Sequence, residues 1–102
     1  MGIARRTSAQ ASLFSGSAKS LDTVSIKDPD DLTLAIRENW ICALTGETTG
    51  GCDHSSSCVV ALRGMTNKYW VVEAAKQDAD DDCDFSVACD ATCWETQQIP
   101  TP

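Results

Sequence analysis

The stretch DPDDLTLAIRENWICALTG, residues 28–46, decides how the rest of the chain is read. Asp28 has the chemistry of a helix N-cap, because its short carboxylate can accept a backbone N–H left free where a helix begins. Pro29 suits the first helical position, where its missing N–H would have no partner anyway. Asp30 and Asp31 then set negative charge against the positive end of the helix dipole. Leu32, Ile36, Trp40 and Ala43/Leu44 recur at helical spacing as one apolar stripe. Gly46 stands where a left-handed residue closes a helix. Together these signals predict an amphipathic helix over 29–45, with Cys42 at the flank of its buried face.

Upstream, residues 21–26 alternate well enough for a first short strand. Residues 1–20 are basic, rich in Ser and Ala and free of acids, with no sustained period; they read as a flexible N-terminal segment. Downstream, Cys58-Val59-Val60-Ala61-Leu62-Arg63 and Lys68-Tyr69-Trp70-Val71-Val72-Glu73 are β-branched and aromatic runs. The turn chemistry of residues 64–67 joins them as a hairpin. Glu73-Ala74-Ala75-Lys76-Gln77 favours a second short helix at about 73–80. Phe85, Val87, Cys89, Ala91 and Cys93 then fall on one face of a last strand. Residues 96–102, with Pro100 and Pro102, read as a tail.

The predicted order is β-α-β-β-(α)-β, an α+β fold with helices on one face of a small antiparallel sheet in a two-layer sandwich. Six cysteines staple it: Cys42, Cys52, Cys58, Cys83, Cys89 and Cys93. An even count in a short acidic domain reads as three disulfides and an oxidising, extracellular compartment. Fifteen connectivities are open to six cysteines. The expected one closes Cys52–Cys58 as a local loop and joins Cys42 to Cys89 or Cys93. The domain so defined covers 21–95. Its order of elements and its cysteine content are similar to those of small secreted fungal and viral killer toxins and plant-pathogen effectors. That similarity implies a protein that acts by binding a protein or cell-surface target.

Charge narrows the partners. Residues 1–21 carry a net charge of +3 and residues 22–102 a net charge of −10. A domain this acidic is repelled by phosphate backbones, which disfavours nucleic acid. No stretch approaches the roughly 20 apolar residues of a membrane span. The basic N-terminal segment also has the composition of an organelle transit peptide, the alternative localisation.

Candidate site residues are few. Asp53, His54, Ser55 and Ser56 lie inside the Cys52–Cys58 interval and would form a polar finger suited to docking, as in a small inhibitor or lectin-like module. Trp94 is the large aromatic expected at the surface, where it could anchor a partner. Asp78, Asp80, Asp82 and Asp84 match the odd positions of a calcium-loop template. That template fails at Cys83 and Cys89, where it requires Gly and Glu, leaving only a weak calcium candidate. The cysteine spacings fit zinc knuckles poorly, so an intracellular metal-binding domain is the lesser alternative. With one histidine and no converging catalytic set, neither an enzyme nor a cofactor is expected.

Overall fold

The computed structural model describes residues 5–14, 20–30, 32–51, 56–76 and 85–96. Six strands run through them: β1 (Arg6–Leu13), β2 (Ser20–Ser25), β3 (Trp40–Gly51), β4 (Ser56–Arg63), β5 (Tyr69–Lys76) and β6 (Phe85–Glu95). They form two antiparallel three-stranded sheets, ordered β1-β6-β3 and β2-β5-β4. The last two strands therefore take the two central positions, each slotting between strands that precede it in the chain.

β6 shows why the sheets stack. Val87, Cys89, Ala91 and Cys93 are buried and alternate with the more exposed Ala88, Asp90, Thr92 and Trp94. The face predicted for the last strand is the one it buries. From the other sheet, Val72 and Ala74 of β5 enter the same core, with Trp70 packed against it. Burying a side chain such as Val72 or Val87 contributes about 1.5–3 kcal/mol. Between β4 and β5 the predicted hairpin is present. Its turn is closed by the Lys68 N–H donating to the Arg63 carbonyl at 2.8 Å. Gly64 is required there: it adopts φ +100°, and a Cβ on it would come within 2.9 Å of the Tyr69 ring.

The helix predicted over 29–45 is absent, and the fold is all-β; no helix occurs among the described residues. The capping signal is real but serves a single turn. Asp28 Oδ1 accepts the Asp30 N–H at 2.9 Å, as an N-cap does, and the Leu32 N–H reaches the Asp28 carbonyl at 3.1 Å. Leu32 then adopts φ +62° and the chain doubles back, so that the Asp28 N–H donates to the Thr33 carbonyl at 2.7 Å. From Trp40 onward, β6 offers a continuous row of backbone partners, and β3 pairs with it from Trp40↔Glu95 to Gly51↔Phe85. The apparent stripe is dispersed: Trp40 is 2% exposed, whereas Leu32 is 70% and Leu44 41% exposed. Thr45, Thr48 and Thr49 suit a strand because they are β-branched. A register shift between Leu44 and Gly46 accommodates Thr45 as an extra residue.

Two other expectations change. The short helix at about 73–80 is replaced over Glu73 to Lys76 by the end of β5, and its remainder lies outside the described residues. Arg6–Leu13, expected to be free of the fold, is β1 and pairs along its whole length with β6. Its alternation is of small residues, with Ala9 and Leu13 half-buried and Ala11 fully buried, so it carries little apolar signal.

Two disulfides lie among the described residues. Cys58–Cys89 ties β4 to β6 and so binds one sheet to the other across a Cα separation of 5.5 Å. Cys42–Cys93 joins register partners on adjacent strands. The expected Cys52–Cys58 loop is thereby overturned, and Cys42 takes one of its two expected partners. Cys52 and Cys83 lie outside the described residues.

Candidate functional site

The segment between β2 and β3 builds a cleft at one end of the sandwich. Its outgoing and returning arms are held together where the Ala35 N–H donates to the Ile26 carbonyl at 2.8 Å. The returning arm is fixed to β5 by the Trp70 N–H, which donates to the Ala35 carbonyl at 3.0 Å, and by a bridge between Ile36 and Tyr69. Ala35 is fully buried, which anchors the arm in the core. The chain then turns at Ile36, whose carbonyl accepts the Trp40 N–H at 3.0 Å, and enters β3.

The space enclosed measures about 540 Å³ and is lined by Asp28, Thr33, Leu34, Ile36, Asn39, Trp40, Lys68 and Tyr69. Leu34 is 41% exposed and Ile36 and Tyr69 are half-buried, so apolar surface faces the opening. Trp40 is a buried base, and the Trp70 indole N–H donates to its carbonyl at 2.8 Å. A concave, partly apolar site with a few polar groups, of about 300–1,000 Å³, is the usual form of a small-ligand site.

Arg5 fixes the Asp28 side of this cleft. Its guanidinium meets Asp28 through two bonds, Nη1 to Oδ1 at 3.0 Å and Nη2 to Oδ2 at 2.8 Å. It also bonds Asp30 and Glu95, and its Cζ lies 5.5 Å from the centroid of the Trp40 ring. One side chain thus joins the chain before β1, the end of β6 and the Asp28 turn through planar, charge-assisted hydrogen bonds. The hydrogen bond from Arg5 holds Glu95 below the usual carboxylate range, and the same bonds make Arg5 retain its proton more firmly.

A pH dependence follows. Because Glu95 is depressed in the folded state, it stabilises fully above its unfolded value of about 4.5 and loses that stabilisation as pH falls through the lower folded value. Melting temperature is expected to fall in that acidic window, and Glu95→Gln should flatten the fall. An identical pH profile in the variant would contradict the clamp.

The residues singled out from sequence are not brought together here. Trp94 is exposed, as expected, but it lies on the outer face of its sheet opposite the exposed Ile41. Ser56 begins β4 in the other sheet, near Cys58, which is bonded to Cys89. Cys89 and Trp94 stand five residues apart on β6, roughly 17 Å of strand. Asp53, His54, Ser55 and the four aspartates of the calcium candidate lie outside the described residues. Among the described residues no cluster of His, Cys, Asp and Glu could hold a metal ion. The sulfurs of Cys42, Cys58, Cys89 and Cys93 are in disulfides, so they are not thiolate ligands. No helix among the described residues is long and apolar enough to cross a membrane.

Fold and site define a disulfide-tied, two-sheet β domain with a ligand-sized cleft at one end. Comparison with protein-family models, curated proteins and solved structures returns no match for this chain.

Proposed function

We propose that the protein is an extracellular binding domain that acts by holding a ligand in the cleft of Leu34, Ile36 and Tyr69 above Trp40, without catalysis. The single observation carrying this reading is the cleft itself, a partly apolar hollow set on strand ends. Leu32 adds to it. This exposed aliphatic side chain sits at φ +62° one residue before Thr33, which lines the cleft, and backbone strain of that kind concentrates at binding sites. The disulfides support an oxidising compartment. The likeness to killer toxins and effectors lends no support, because the helix-on-sheet order it rested on is not the order found.

An NMR screen of small apolar fragments against the ¹⁵N-labelled protein tests this reading. The expected result is amide shifts concentrated at Leu34, Ile36, Asn39 and Tyr69. Leu34→Asp, at an exposed position where folding should be kept, is expected to weaken binding at least tenfold. Shifts centred instead on Ile41 and Trp94 would move the site to the outer sheet face and overturn the reading.

A further inference from the structure

We infer that the cleft takes a small organic monoanion with an apolar body, its carboxylate set at Lys68. This assignment rests on the cleft being the binding site and adds the chemical class of the ligand.

The apolar half follows from Leu34, Ile36 and Tyr69, which offer carbon surface around a volume of about 540 Å³. The anionic half follows from how the charges in the lining are partnered. Two charged residues line the cleft, Asp28 and Lys68. Asp28 is only 8% exposed and its carboxylate is matched by both arms of the Arg5 guanidinium. It is therefore poorly placed to receive a ligand cation. Lys68 is exposed, and its ammonium makes no ion pair or hydrogen bond among the described residues.

Its backbone, by contrast, is fixed on both sides. The Lys68 N–H donates to the Arg63 carbonyl at 2.8 Å, and its own carbonyl accepts the Arg37 N–H at 2.9 Å. A tethered backbone roots the lysine at the rim of the apolar wall, within reach of an anion held there, and reduces the ordering needed on binding. The net charge of −7 opposes anions at a distance, which favours one negative charge over two. Together these features describe an amphipathic monocarboxylate.

The test titrates octanoate, octanamide, octylammonium and acetate into the ¹⁵N-labelled full chain and its Lys68→Gln and Lys68→Arg variants. Octanoate is expected to shift the Leu34, Ile36 and Tyr69 amides and to bind at least fivefold more tightly than octanamide. Lys68→Gln should abolish that advantage, and Lys68→Arg should keep it. Acetate should give no saturable shift, since it lacks the apolar body. Octanoate binding no more tightly than octanamide would overturn the anion assignment, as would an advantage that survives in Lys68→Gln. Octylammonium binding most tightly would overturn the anion class while leaving the cleft as the site. No cleft shift with any of the eight-carbon probes would overturn both.

Discussion

Replacing Cys58 and Cys89 together by alanine is expected to lower the free energy of unfolding by about 3–4 kcal/mol. The bridge spans 31 residues. Opening a loop of that size returns close to 4 kcal/mol of chain entropy to the unfolded state. Domains of this length are stable by roughly 5–15 kcal/mol, so the loss is a large fraction of the total. Location should add to it. Cys58–Cys89 ties one sheet to the other, and Cys89 is fully buried between them. Urea unfolding at 25 °C of the double variant against the parent measures the difference. A change below about 1 kcal/mol would mean that the two sheets are held almost entirely by packing.

Trp40→Ala is the other large effect, about 3–5 kcal/mol by the usual scale for truncating a buried tryptophan. Trp40 is 2% exposed and belongs to the core that the two sheets share. Its ring also lies beneath Arg5, at 5.5 Å from Cζ to centroid, and that contact is lost with the ring. The hydrogen bond from the Trp70 indole survives, because it is made to the Trp40 backbone. Trp40→Phe should therefore recover much of the loss. The same substitution to alanine removes the base of the cleft, so fragment binding should fall with stability. A cost below about 1.5 kcal/mol would contradict the placement of Trp40 in the core.

Sequence pattern made the second half of the fold readable, because there the local and tertiary signals agree. Val87, Cys89, Ala91 and Cys93 alternate and are buried in alternation; Val59 to Leu62 and Tyr69 to Val72 are strand formers on either side of a glycine turn. The first half misled for a physical reason. Leu32, Ile36, Trp40 and Leu44 recur every four residues, and an authentic capping bond precedes them. Local chemistry there specifies one turn, and pairing with β6 decides the rest. Continuous apolar residues from Trp40 to Leu44 fit a strand as well as a helix, so periodicity could not separate the two. β1 carries little sequence signal because its buried face is built from alanine, threonine and a single leucine.

The cleft is hidden in the sequence for the same reason. Leu34 is out of phase with the predicted stripe, and the spacing of Ile36 and Trp40 is that of a helix face. Lys68 and Tyr69, some 30 residues on, carry only the signal of a hairpin strand beginning. The wall forms because residue 36 bridges residue 69, a pairing that spacing along the chain does not reveal. Trp94 could be judged exposed from its place at the end of the last strand, and it is.

The disulfide map of the native protein tests the two-sheet fold most directly. Peptic digestion without reduction, followed by fragmentation of the linked peptides, should recover Cys42 joined to Cys93 and Cys58 joined to Cys89. A peptide closing Cys52 on Cys58 would contradict the account, because Cys58 would then be unavailable to tie β4 to β6.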